Sequence, residues 1–304
     1  MKTSVVIPLF NKRPYVAEAI ASLAAQDLPP FEVIVVDDAS TDGSLEVARR
    51  ALASLARSCP ECRVELIARP ENGGPGTARN VGLEIARGEL VGFLDADDTY
   101  RVDCLRKVSE NLHDSRIDLM VLGFSDGEKQ TFPDLETLAP ELEILSADLY
   151  VLRDPLRSVS HPEFFMGRAS NVMVRRRWLA AHRFHPTSRL NEGIDFWYRV
   201  LRDICATPGT RIGLMSPPLI RFRVLDDSLS HRSCPDWWRL EVPPVIRRYI
   251  GSLDGHDRWL MGMLGARWLE HAMGCLPSQE QKAAFVNHHR SLLATLSRYR
   301  LERR

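Results

Sequence analysis

Apolar positions in the first 124 residues switch repeatedly between short unbroken runs and a period near 3.6. Residues 4–7 form an apolar run that stops at Pro8, and Val16, Ala19, Ile20 and Leu23 then share one helical face. Residues 32–36 are β-branched and almost wholly apolar, the pattern of a strand buried on both faces. Leu45, Ala48, Leu52 and Leu55 mark a second helix, 64–68 a third strand's worth of apolar positions and 77–86 a third helix. Residues 90–94 read as a fourth strand ending at Asp95. Val102, Leu105, Val108 and Leu112 predict a fourth helix, and 119–124 a fifth strand. Strand–helix alternation of this kind predicts an α/β fold, a mostly parallel central sheet with helices on both faces.

After Phe124 the alternation fails. Pro133, Pro140, Pro155 and Pro162 interrupt the chain, with one helix predicted near 146–152. A strand is expected at 170–174, a helix at 195–204, and two short strands at 211–215 and 219–224. From Pro235 the pattern turns helical: Leu260, Leu264, Trp268 and Leu269 share a face, and 278–296 reads as a last helix. The division this suggests is a domain over 1–234, with halves 1–124 and 125–234, and a helical C-terminal extension over 235–304.

A chain of 304 residues buries enough surface to fold without disulfides or a structural metal. With 44% hydrophobic and 26% charged residues it reads as globular rather than disordered. Lys+Arg and Asp+Glu are both 40, so the basic excess expected of a nucleic-acid binder is missing. The longest apolar run, 259–266, is far short of the roughly 20 residues a membrane span needs. The N-terminus breaks at Pro8 and lacks the apolar core of a signal peptide, so a cytoplasmic protein is expected. Cys59 and Cys62 form a CxxC without a second pair; two thiols in a turn beside Pro60 is the simpler reading than zinc or redox chemistry.

In open α/β sheets ligands bind beyond the carboxyl ends of the strands. Four such ends carry unusual polar residues. The first runs into Pro8-Leu9-Phe10-Asn11-Lys12, the second into Asp37-Asp38-Ala39-Ser40-Thr41-Asp42-Gly43-Ser44. Adjacent carboxylates at a buried strand end need donors, which a nucleobase N–H or the cap of the next helix would supply. Glu71-Asn72-Gly73-Gly74-Pro75-Gly76-Thr77-Ala78-Arg79-Asn80 brings glycines, a helix N-terminus and a cation together, a phosphate-binding pattern that is weak alone. Phe93-Leu94-Asp95-Ala96-Asp97-Asp98 places three carboxylates in four residues. Hard oxygen donors suit Mg²⁺ or Mn²⁺, and helix capping by Asp97 or Asp98 is the alternative.

Taken together, these four segments resemble an inverting, nucleotide-sugar-dependent glycosyltransferase of the GT-A fold, family 2. The resemblance covers 1–124 strongly and about 165–231 more loosely; it is absent over 125–160 and after about 235. It implies a nucleotide-sugar donor, most often a UDP sugar, and a hydroxyl acceptor in polysaccharide or glycolipid synthesis. Under it, Asp37 or Asp38 reads the uracil edge, Pro8 and Leu9 line the base pocket, and Asp95 holds the ribose. Asp97 binds the Mn²⁺ or Mg²⁺ that bridges the diphosphate, while Asn11, Ser40, Gly73, Arg79 and Ala96 complete the nucleotide site. No nucleic-acid partner is expected. Related enzymes act on lipid-linked or surface glycans, which leaves room for peripheral contact with the inner face of the membrane through Arg175-Arg176-Arg177, Trp237-Trp238 or 259–263.

Two departures stand out. The family's acceptor-side base is commonly the Asp of a Glu-Asp pair, yet here Glu192 is followed by Gly193, leaving Glu192 or Asp195 as the base. Downstream, Leu225 replaces a family histidine, and His231 is the substitute metal or diphosphate ligand. Two rival readings follow. One is a non-catalytic donor-binding subunit or scaffold of a larger synthase. The other is a sugar-nucleotide nucleotidyltransferase, which the glycine-poor Leu9-Phe10-Asn11-Lys12-Arg13-Pro14 disfavours.

Overall fold

The structure, a computed structural model, describes residues 1–114, 116–126, 131–158, 169–186, 192–225, 234 and 236–301. Its strands are β1 (Thr3–Leu9), β2 (Glu32–Asp37), β3 (Arg63–Ala68), β4 (Leu90–Phe93), β5 (Thr99–Tyr100), β6 (Ile117–Ser125), β7 (Thr131–Phe132), β8 (Leu142–Ile144), β9 (Leu149–Leu152), β10 (Val172–Arg175) and β11 (Arg211–Arg221). Its helices are α1 (Val16–Ala24), α2 (Ser44–Ser58), α3 (Pro75–Ile85), α4 (Cys104–Asp114), α5 (Leu135–Leu138), α6 (Pro155–Ser158), α7 (Glu192–Ala206), α8 (Pro244–Tyr249), α9 (Gly255–Cys275), α10 (Gln279–His288) and α11 (Arg290–Leu301).

All strands join one sheet in the order β3-β2-β1-β4-β10-β6-β11-β9-β8, with β5 on β11 and β7 on β6. β1 is parallel to β2 and β4, β2 to β3, and β6 to β11. β10 runs antiparallel between β4 and β6. The period of two decides which helices cover which face. Val5, Ile7 and Leu9 of β1 and Val33 and Val35 of β2 pack with α1, α2 and α4. Val6, Ile34 and Val36 point the other way, into the layer of α3 and α7. Gly82 lets α3 lie directly on β1, since a Cβ there would overlap Val6 Cγ1.

The C-terminal helices share this second core. Val245 and Ile246 of α8 and Leu260, Met261 and Leu264 of α9 pack with Phe196, Trp197 and Leu201 of α7. Gly262 and Gly265 of α9 admit α11 closely: a Cβ on Gly262 would stand 2.7 Å from the Arg300 backbone nitrogen. Among the described residues no helix is long and apolar enough to cross a membrane.

Three local expectations are corrected. The segment 146–152 is the second arm of the β8–β9 hairpin rather than a helix. Leu149 and Val151 face the sheet core, and β9 pairs with β11, a period of two hidden in a short apolar run. The two short strands at 211–215 and 219–224 are one strand, β11. Register shifts on either side of Pro218 absorb the prolines while the ladder to β6 continues. The single last helix over 278–296 is two, α10 and α11, meeting at His289. The turn places Phe285 against Trp268 and brings Leu296 back to Gly265.

Candidate functional site

The loops after β1 and β2 are laced together at the carboxyl edge of the sheet. Asn11 adopts a left-handed backbone (φ 51°) and so does Ala39 (φ 62°), conformations non-glycine residues rarely hold without a reason. The Asn11 N–H donates to Ser40 Oγ at 3.0 Å, and the Thr41 N–H donates to Asn11 Oδ1 at 2.8 Å. Lys12 N–H reaches Ser44 Oγ at 2.8 Å and Arg13 N–H reaches Asp42 Oδ2 at 3.0 Å. Burial pushes the Asp42 carboxyl up, but bonds from Ser44 and Arg13 outweigh it and hold it below the usual range. Leu9 is buried in the sheet core, Pro8 is half-buried, and Phe10 is exposed.

Asp37 and Asp38 are each only 2% exposed. Asp37 Oδ2 accepts the Ser40 N–H at 3.1 Å, while its Oδ1 is buried without a hydrogen-bond partner. Asp38 pins the glycine turn: its Oδ1 accepts from Gly73 at 3.1 Å, its Oδ2 from Gly74 at 2.7 Å, and Arg69 pairs with it from the end of β3. Gly74 holds φ +85° and caps α3, with Pro75 in its first turn. The carboxylate, the glycine turn and the N-terminus of α3 are thus one unit.

At the end of β4 each acidic residue has a different partner. Arg79, buried on α3, donates to Asp95 Oδ1 at 2.7 Å and lies 5.3 Å over the ring of Phe184. The Asp95 N–H donates to Ser170 Oγ at 3.0 Å, and Ala96 is buried. Asp97 Oδ2 meets Lys12 Nζ at 2.6 Å. Asp98 turns inward and accepts the Arg223 N–H at 3.1 Å, while Arg223 Nε reaches the Asp97 carbonyl at 3.3 Å. Tyr100, wholly buried, donates to the Phe93 carbonyl at 2.8 Å, and burial raises its phenol well above the usual range.

On the acceptor side, Glu192 opens α7; its side chain lies outside the described residues. Asp195 is 0% exposed, with Arg199 at 2.9 Å on Oδ2 and Arg248 at 3.1 Å on Oδ1. Both oxygens of Asp195 are held in ion pairs, the arrangement of a clamp between α7 and α8. His231 falls outside the described residues.

The cation that the resemblance implies can be tested against these donors. Among the described residues, no three His, Cys, Asp or Glu side chains converge on one point. Mg²⁺ and Mn²⁺ nevertheless need only one or two protein carboxylates when substrate phosphate and water complete the shell. Asp97 offers a hard oxygen at a strand end, already neutralised by an ammonium cation. The residues present therefore fit a divalent ion shared with a diphosphate.

Pattern reading gives no role to Lys12, Arg69 and Arg223, each of which contacts a strand-end carboxylate. Lys12 ends the first strand-end motif, Arg69 stands just ahead of the glycine segment and Arg223 just ahead of Leu225, and that nearness is the one signal that marks them. The basic turn has structural work at the opposite end of the sheet: Arg175 donates to the Leu112 carbonyl at 2.6 Å, Arg176 to the Gly88 carbonyl at 2.9 Å, and Arg177 pairs with Asp118. Cys59 and Cys62 are free and buried, and burial pushes the Cys62 thiol up to about 12.

Comparisons with known proteins bear on the family and the fold. The chain is 31% identical over 202 residues to the poly(ribitol-phosphate) beta-N-acetylglucosaminyltransferase TarS of Staphylococcus aureus, a match covering 62% of this chain and 34% of that protein. It is 42% identical over 105 residues to the succinoglycan biosynthesis protein ExoO of Rhizobium meliloti, covering 34% of this chain and 28% of that one. The chain thus spans about a third of the length of these curated relatives. The crystal structure of Staphylococcus aureus TarS 1-349 in complex with UDP-GlcNAc has the same fold. Its TM-score is 0.67 at 22% identity, and the match covers 98% of this chain and 88% of that one. The Pyrobaculum calidifontis mannosyltransferase PcManGT in complex with GDP-Man and Mn²⁺ aligns with TM-score 0.52 at 20% identity over 99% of this chain and 82% of that one. The family model for glycosyl transferase family 2 matches residues 4–179, more than half of the molecule, and the chain belongs to that family.

Proposed function

We propose that this protein transfers a sugar from a nucleotide donor, a UDP sugar, to a hydroxyl acceptor with inversion, in the assembly of a polysaccharide or glycolipid. The observation that carries the reading is the convergence at one sheet edge of Asp37, Asp38, the Gly73-Gly74 turn, Arg79–Asp95 and Lys12–Asp97. The base would lie against the Asp37-Asp38 edge, beside Pro8 and the loop that Asn11 and Ser40 hold. The ribose would meet Asp95, whose position Arg79 fixes. Asp97 would hold Mn²⁺ or Mg²⁺, which when bound supplies positive charge to the departing diphosphate. The N-terminus of α3 adds its partial charge to the same region.

Glu192 takes the base role in this proposal. It would accept the acceptor hydroxyl's proton as that oxygen attacks the anomeric carbon and the nucleoside diphosphate leaves from the opposite face. Asp195 is the clamp behind it. The partners on this reading are a nucleotide sugar and a glycan or glycolipid, with peripheral contact at the inner face of a membrane.

The test is thermal stability against nucleotides and nucleotide sugars, with and without Mn²⁺. A ligand at 100 times its dissociation constant stabilises a fold by about 2.7 kcal/mol. A Mn²⁺-dependent shift with UDP is the expected result, and no shift with any nucleotide would overturn the donor site. Gly193 in place of the family's usual aspartate, together with the sealed Asp195, favours one second reading, a donor-binding subunit that does not turn over. UDP release in the presence of hydroxyl acceptors, abolished by Glu192→Gln, separates the two.

A further inference from the structure

Lys12 reaches out of the loop after β1 to place its ammonium 2.6 Å from Asp97 Oδ2, the carboxylate assigned above to the divalent ion. The side chains are 24% and 17% exposed, so the pair is sheltered without being sealed. Arg223, the other cation at this point, meets the Asp97 carbonyl rather than its carboxylate: its Nε reaches that oxygen at 3.3 Å, its Nη2 donates to Glu18 at 2.6 Å and its backbone N–H to Asp98. Among the described residues Asp97 is the only ion-pair partner of Lys12. The backbone of Lys12 does separate work, donating to Ser44 Oγ and accepting from Tyr15 and Val16 at the start of α1. The ammonium also stands 6.0 Å from the centroid of the Tyr15 ring, while the backbone bonds tie the loop down.

A divalent ion and an ammonium group repel each other, so an ion entering on Asp97 weakens the hold of that carboxylate on Lys12. The geometry points to Lys12 as an exchangeable counter-ion. It holds Asp97 in the donor-free protein, yields that carboxylate when the ion enters, and turns on its flexible stem to the diphosphate oxygens brought by the donor. The inference rests on the donor-site reading above and deepens it, because it makes the metal and the donor depend on each other through one side chain. Metal alone must displace a resident cation, whereas metal with diphosphate gives that cation a new partner.

The experiment measures two affinities on wild type, Lys12→Met and Lys12→Arg. Mn²⁺ binding without nucleotide is followed by the electron paramagnetic resonance signal of free Mn²⁺, and UDP binding in saturating Mn²⁺ by calorimetry. Unliganded melting confirms that each variant is folded. Loss of a partly exposed pair changes affinity by about three- to fivefold. Lys12→Met is expected to bind Mn²⁺ more tightly and UDP more weakly, and Lys12→Arg to lie near wild type in both. Unchanged Mn²⁺ affinity, or weakening of both ligands together, overturns the exchange, and unchanged UDP affinity overturns the transfer to diphosphate. A wild-type protein that binds neither Mn²⁺ nor UDP overturns the donor site itself and the exchange with it.

Discussion

Arg248 on α8 donates from Nε to Oδ1 of Asp195 on α7 at 3.1 Å, so a C-terminal helix holds the helix that opens with Glu192. A second tie lies one turn on. Asp257 of α9, buried, accepts from Tyr198 at 2.7 Å and Ser252 at 2.5 Å and pairs with Arg202. Two enclosed carboxylates thus fasten α7 to the C-terminal helices.

Removing the first carboxylate strands its partners. Asp195→Ala is expected to cost about 1–3 kcal/mol in urea unfolding, since Arg199 and Arg248 lose a hydrogen-bonded partner but keep access to water. Arg248→Ala leaves the 0% exposed Asp195 with Arg199 as its remaining ion-pair partner, and should destabilise by about 1–3 kcal/mol as well. UDP affinity should stay unchanged in both folded variants, and its loss would place Asp195 in the donor site.

The two glycines beside β1 and α3 separate strain from crowding. Gly74 has φ +85° and open space around an added Cβ, so Gly74→Ala should cost about 1–3 kcal/mol through backbone strain alone. UDP affinity should fall with it, since the Gly74 N–H anchors Asp38. Gly82→Ala meets Val6 instead and should destabilise by about 1–3 kcal/mol through overpacking. A Val6→Ala background should relieve Gly82→Ala and leave Gly74→Ala unchanged; equal costs in both backgrounds would contradict the packing.

Asp254 caps α9, accepting from His256 N–H at 2.8 Å and Asp257 N–H at 3.1 Å. Asp254→Ala should cost about 1 kcal/mol. Burial raises this carboxyl, but the backbone bonds from Asp257 and His256 prevail and leave it below its usual range. The folded chain therefore holds its proton less readily than the unfolded one. The capping contribution is full above the unfolded value near 3.9 and is lost as pH falls through the lower folded value. The difference in melting temperature between wild type and Asp254→Ala should shrink over that acid range.

His289 packs between Trp268, at 4.8 Å, and Phe285, at 4.9 Å. Burial, then the neighbouring charge of His288, holds its pKa below the usual 6.5. Between the two values the unfolded chain carries the extra proton. This group's penalty is absent well above 6.5 and grows as pH drops through that point. His289→Gln should flatten the fall in melting temperature between about pH 7 and 5, and an unchanged slope would remove His289 from the acid response.

The first 124 residues were legible because each buried strand ends where an apolar run meets a polar motif, as at Val36-Asp37 and Leu94-Asp95. Local pattern failed where tertiary pairing decides the outcome. Nothing near Leu149–Leu152 announces a strand until β11 is beside it, and Pro217-Pro218 disguises one long strand as two. At the site, the carboxylates could be named from their spacing, but their partners could not. Lys12 and Asp97 belong to different strand ends, and only the β1–β4 pairing brings those ends together.

The antiparallel placement of β10 bears on how such a protein diversifies. Val172 sits opposite Val121, so β10 returns beside the strand that ends at Ser125 after β7, β8 and β9 have joined the same sheet between them. An excursion whose two ends are neighbours can lengthen at little cost, about 0.6 kcal/mol for each doubling of a flexible loop. The connection between β8 and β9, residues 145–148, can therefore lengthen while the strands whose ends carry Asp37, Asp38, Asp95 and Asp97 keep their register.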